Sequence, residues 1–192
     1  MKIRITVSET SDFRSRIWIL RPRRAPHSRI QRAFCRERIL FLMMKITLAH
    51  ISPRAAARDG YEKLVHEYLE RASAFVPTVS EGFRSEAILL ERLERQRGRS
   101  PAVVVLLDSR GRQMTSEAFA LWLGARRDEG VQQMIFAVGP ADGWSDAARS
   151  RAQLVLSLGP MTMAHSLARL VMAEQIYRAL TILAGHPYHS GH

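Results

Sequence analysis

From Met44 onward, apolar and polar residues alternate between short strand-like and helix-like runs. Met44-Lys45-Ile46-Thr47-Leu48-Ala49-His50-Ile51 alternates as a half-buried strand does. Tyr61, Leu64, Val65, Tyr68 and Leu69 then recur at i, i+3, i+4, i+7 and i+8, the apolar stripe of an amphipathic helix. Residues 75–83 read as a short strand, and Pro77, which cannot donate to a ladder, puts it at a sheet edge. Ser85 can cap the free N–H groups of a following helix that carries Ile88, Leu89 and Leu93. The unbroken apolar run over 102–107 predicts a strand buried on both faces. A helix over 116–127 follows, with Phe119, Trp122 and Leu123 inward; a second buried strand spans 134–138, a third 153–158, and a long closing helix 165–184. Buried strands separated by helices predict an α/β fold, a mostly parallel sheet with helices on both faces.

Residues 1–43 break that texture. Arg21-Pro22-Arg23-Arg24-Ala25-Pro26 is a basic, proline-broken run unsuited to a helix or strand interior. Charge divides at the same place. The chain of 192 residues carries +11, but residues 1–43 hold 11 Lys+Arg against 3 Asp+Glu, and the remainder 18 against 15. The expected organisation is a basic extension over 1–43, disordered or the product of an upstream start codon, and one domain over 44–192. An Arg-rich, acid-poor segment also fits a transit peptide or an RNA-binding arm. At about +3 the domain itself is only mildly basic, so tight binding of free RNA is not expected. Arg92, Arg95, Arg97 and Arg99 form its one basic row, a candidate phosphate contact or a solvated helix end. Cys35, the single cysteine, excludes an internal disulfide framework. No apolar run approaches the roughly 20 residues that span a bilayer, and the expected setting is cytoplasmic, without a membrane partner.

Candidate chemistry collects at three predicted loops beyond the carboxyl ends of the buried strands, where α/β sheets bind ligands. They are Asp108-Ser109-Arg110-Gly111, Gly139-Pro140-Ala141-Asp142-Gly143, and Gly159-Pro160-Met161-Thr162-Met163-Ala164-His165. Glycine after a strand is also ordinary turn punctuation, so the loops alone name no ligand. No glycine-rich phosphate fingerprint, nucleophile elbow or Cys–His pair is present, and the histidines lack the companions a metal site needs. His165, Arg169, Glu174, Gln175, Tyr177 and Arg178 share the closing helix, with His165, Arg169 and Glu174 able to share a side. Read singly, each is a solvated or paired surface group.

The run Leu156-Ser157-Leu158-Gly159-Pro160-Met161-Thr162-Met163-Ala164-His165, with Arg169, Glu174-Gln175, Tyr177-Arg178-Ala179 and Pro187-Tyr188-His189, resembles the signature of the ribosomal RNA large-subunit methyltransferase H family, a compact branch of the SPOUT superfamily. The resemblance covers residues 44–192 and omits 1–43. It implies an α/β fold with a C-terminal trefoil knot, a homodimer, and S-adenosylmethionine as cofactor. It also implies methylation of N3 of a pseudouridine in helix 69 of 23S rRNA on the assembled ribosome. Carried over by position, the cofactor site falls on Leu107, Gly139, Leu158, Gly159, Pro160, Met161, Thr162 and Met163. His189 and Tyr188 are the candidates for substrate handling and proton removal, and His165 with Arg169 for organising the pocket. No metal is implied. The chain departs from the family pattern at Pro140, where a second glycine is usual, and at Gly159, where serine is usual. Those departures leave open a catalytically silent ribosome-binding factor, and another RNA such as tRNA remains an alternative substrate.

Overall fold

The structure, a computed structural model, describes residues 44–52, 60–96, 98, 101–140 and 142–189. The expected extension over 1–43, and Arg97 and Arg99 of the basic row, lie outside the described residues.

Among the described residues five strands and five helices alternate: β1 (Lys45–Ile51), α1 (Gly60–Ser73), β2 (Thr78–Phe83), α2 (Glu86–Gln96), β3 (Val103–Gln113), α3 (Ser116–Asp128), β4 (Gln133–Val138), α4 (Asp146–Arg149), β5 (Leu154–Ser157) and α5 (His165–Leu183). A 3₁₀ turn, Pro187–His189, follows. The strands form one sheet in the order β2-β1-β4-β3-β5, and every adjacent pair is parallel. Successive side chains of a strand face opposite ways, which explains why the central runs are apolar throughout. Val105, Leu107, Met134, Phe136 and Val138 join the core beneath α1, α3 and α5. Val104, Leu106, Ile135 and Ala137 join the opposite core with Leu89, Trp144 and Ala148, under α2 and α4.

Three expectations are corrected. The strand expected from residue 75 starts at Thr78, after Pro77, because Phe75 and Val76 still hydrogen-bond back to Ala72 at the end of α1. The apolar stripe of α1 buries only part of its width: Val65 and Leu69 are buried, whereas Tyr61 and Leu64 stay 40% and 42% exposed; Trp122 of α3 is likewise only half-buried. The Asp108–Gly111 segment is not a free loop, since β3 runs on to Gln113. Both Leu107 and Arg112 register with Leu156 of β5, so the four residues between them bulge out of the ladder. Gly111 makes the return possible: a Cβ there would lie 2.7 Å from the main chain of Val155 and Leu156.

Candidate active site

The β3–β4 ladder ends at the Leu107–Val138 pair. Beyond it the two chains diverge, and β5 ends beside them. The space so opened is a cavity of about 560 Å³ lined by residues 107–110, 138–140, 142–144, 158, 159, 161–165 and 168. Its size suits a small organic ligand, since such sites span roughly 300–1,000 Å³. Leu107, Gly139, Leu158, Gly159, Met161, Thr162, Met163 and His165 are brought together on its walls; Pro160 is exposed and is not part of the lining.

Each wall has a local cause. Gly143, at φ +84°, closes a turn in which its N–H donates to the Pro140 carbonyl at 3.0 Å. Proline at 140 is therefore compatible with this turn, which uses its carbonyl. Gly159 sits at φ +142°, a conformation that a side chain disfavours. Ser157 Oγ accepts the Gly159 N–H at 3.2 Å and holds that bend. The chain then enters α5 through Ala164, which supplies no side-chain cap, so the first turn of the helix meets the cavity without one. Met161 is 77% exposed at the rim.

Charged groups stand on the cavity wall at Asp108 and off it at Arg169. Asp108, with its side chain only 7% exposed, accepts from the Arg110 N–H at 2.9 Å and from Arg149 Nη2 at 2.6 Å. Burial opposes its ionisation, but the Arg110 bonds and the Arg149 guanidinium outweigh it, and the carboxyl is held below its ordinary range. Arg169, which follows Ala168 of the lining but is not itself part of it, is 3% exposed and reaches Glu62 of α1 at 3.0 and 3.3 Å and Ser80 Oγ at 3.4 Å. His50, at the end of β1, packs edge-on to His165 with ring centroids 6.1 Å apart. Burial first, then the charges of Arg169 and His165, lower its pKa to about 4, so it is a neutral imidazole near neutral pH.

Tyr188 is not brought to this cavity within one chain. Its ring packs on Tyr177 at 4.7 Å, its hydroxyl donates to Glu174 Oε1 at 3.1 Å, and Arg178 lies over its face. Glu174 also accepts from Arg178 at 2.6 Å, so it serves the tail and does not join His165 and Arg169. Nine residues separate His165 from Glu174, about 13 Å along the helix axis. Burial, the Tyr68 hydroxyl and Glu174 raise the Tyr188 phenol above its ordinary range. The His189 side chain lies outside the described residues. In the basic row, Arg92 pairs with Glu81 and Arg95 with Glu91, which reduces their availability to phosphate.

Residues 44–189 match the family model described as predicted SPOUT methyltransferase. The chain belongs to the SPOUT methyltransferase family. Among relatives of this SPOUT chain, the ribosomal RNA large subunit methyltransferase H of Koribacter versatilis (strain Ellin345) is 50% identical over 134 residues, 70% of this chain and 91% of that protein. The protein of the same name from Brucella ovis is 57% identical over 88 residues, 46% of this chain and 52% of that one. The crystal structure of the SpoU methyltransferase AviRb from Streptomyces viridochromogenes, in complex with AdoMet, aligns with a TM-score of 0.41 at 12% identity, over 75% of this chain and 59% of that one.

Trp144, Arg149, His50 and Glu62 belong to the site's surroundings without having been singled out in the sequence, whereas Asp108 opened the first of the candidate loops. Trp144 and Arg149 reach it only through the turn after β4. His50 looked like one polar position of an alternating strand. A signal did exist for Asp108, the first charge after a doubly buried run.

Proposed function

We propose that this chain is an S-adenosylmethionine-dependent methyltransferase of large-subunit ribosomal RNA. In the finer reading it methylates N3 of a pseudouridine in helix 69 of 23S rRNA, on the assembled ribosome and as a homodimer with a knotted C-terminal segment. The observation that carries the reading is the convergence of three strand-end segments on one cavity of ligand size, through residues 107–110, 138–140 with 142–144, and 158, 159 with 161–165. The names of the relatives point the same way.

S-adenosylmethionine, the methyl donor of this family, supplies a sulfonium-activated methyl group when bound. The residues present fit it. Gly139 lines the cavity with main chain alone, its missing side chain making room for the Trp144 indole; Leu107, Leu158 and Met161 offer apolar surface, and strand-end N–H and C=O groups suit an adenine edge. With an activated methyl group, the protein must chiefly align the acceptor nitrogen and exclude water. N3 of the base carries a proton that must leave. His189 is the proposed acceptor and Tyr188 the group that orients the base, both delivered by a second copy of the chain. Tyr188 acts as a neutral phenol, because its environment disfavours ionisation. His165 lines the cavity where α5 begins, and Arg169, off the lining, ties that turn of the helix to Glu62 of α1.

Calorimetric titration with S-adenosylmethionine tests the cavity, with saturable one-site binding expected; no heat of binding would favour the silent ribosome-binding factor. Mapping the methyl group in 23S rRNA from a deletion strain tests the substrate. Absence of any change there, with a lost methyl group in tRNA, would overturn it. His189→Ala is expected to bind the cofactor normally and to lose most turnover on ribosomes; full turnover would remove His189 from the chemistry.

A further inference from the structure

Where the sheet ladder stops at Leu107 and Val138, nothing in the β3–β4 pairing holds the two cavity walls at a fixed separation. Side chains bridge them. Trp144 Nε1 donates to the Leu107 carbonyl at 3.0 Å. The same indole lies so close over Gly139 that a Cβ there would be 2.8 Å from its Cε2 and Nε1. Arg149, from α4, donates Nε to the Trp144 carbonyl at 3.2 Å and Nη2 to Asp108 Oδ2 at 2.6 Å. The contacts close into a ring: β3 at Leu107 and Asp108, then Trp144, then Arg149, and back to Asp108.

We propose that Asp108, Arg149 and Trp144 are positioning residues that latch the turn after β4 onto the end of β3, and so set the cavity's shape for the methyl donor. The inference rests on the reading that this cavity holds S-adenosylmethionine. A largely desolvated ion pair is a weak source of stability compared with apolar packing, but its bond directions fix geometry. The two walls it joins also carry Leu107 and Gly139. The Arg110 N–H and the Arg149 guanidinium keep Asp108 ionised, so the latch stays closed across the neutral range.

The test uses the full chain, with Asp108→Asn, Arg149→Ala and Arg149→Lys beside a control, Arg151→Ala, which removes a surface pair with Glu94 on the same side of the chain. In cofactor-free protein, hydrogen exchange over residues 139–145 should rise in Asp108→Asn and Arg149→Ala and stay unchanged in the control. Calorimetry at a temperature well below unfolding should show S-adenosylmethionine binding weakened at least tenfold in both. The KM for the cofactor should rise in parallel, while the KM for ribosomes is unchanged. Lysine at 149 can reach Asp108 but offers no second donor to Trp144, and should restore binding in part. Cofactor binding within twofold of wild type in both variants, with only a lower melting temperature, would reduce the latch to a structural contact and overturn the proposal. Wild-type protein that takes up no S-adenosylmethionine would instead overturn the reading of the cavity and the latch's role with it.

Discussion

Gly111 lies where the bulge of β3 turns back onto β5, with no room for a methyl group beside the main chain of Val155 and Leu156. Because the obstacle is backbone, Gly111→Ala cannot be relieved by a rotamer change. It is expected to lower stability by about 1–3 kcal/mol, the usual range for overpacking, read from the denaturant midpoint. Gly124 makes a useful contrast. A Cβ there meets only the end of the Leu183 side chain, at 2.8 Å, so Gly124→Ala, which also gains up to about 1 kcal/mol of helix propensity, should come out near neutral in the same assay. His50 sets an acid limb. Its folded pKa of about 4 lies below the ordinary 6.5, so between those values the unfolded chain holds more protons and stability falls as pH falls. His50→Asn should flatten the fall of melting temperature between pH 6.5 and 4. Asp108 acts lower, its contribution being lost as pH drops below the ordinary carboxylate value. These residue-scale effects were poorly legible in the sequence. Gly111 and Gly139 read as turn punctuation, because the atoms that forbid a side chain come from remote β5 at Gly111 and, at Gly139, from the Trp144 indole folded back across an irregular turn that has no period to reveal it.

The elements were far more legible, because apolar period reports burial directly. Among the described residues, each of the five strands and four longer helices overlaps the run that alternation or a stripe pointed to, although β2 starts only at Thr78 and β3 runs on to Gln113; β2 is an edge strand as expected, with Pro77 just before it. The misreadings share a physical cause. The α1 stripe predicted burial for Tyr61 and Leu64, which no element among the described residues covers. Periodicity shows that a side is apolar and does not say what covers it. Beside Glu62, which ties the helix to α5 through Arg169, the two exposed side chains stand one turn apart on α1 and leave an apolar surface there. In the homodimer proposed above, a second copy covers it. The double variant Tyr61→Glu, Leu64→Arg should keep its circular dichroism spectrum and sediment as a monomer; a dimer of unchanged affinity would place the interface on another face. The β3 bulge was hidden for a different reason, since Asp108-Ser109-Arg110-Gly111 has the composition of a loop whether or not its ends rejoin a ladder.

At the scale of the whole molecule, the sheet order β2-β1-β4-β3-β5 gathers the ends of β3, β4 and β5 on one side, and α5 starts there. That gathering was legible, because parallel strands present their carboxyl ends together. The location of the tail was not, since it depends on how Glu174 receives Tyr188 and Arg178. The cavity end of α5 and the anchor of Tyr188 stand more than two helical turns apart, and in a symmetric pair each cavity would be finished by the other chain's tail. Two defective proteins should then cure each other. Co-refolding equal amounts of a cavity-blocked chain, Ala164→Trp at an exposed position of the lining, and a tail-blocked chain, His189→Ala, should restore activity to about one quarter of wild type, because random pairing makes half the dimers mixed and each mixed dimer owns one whole site.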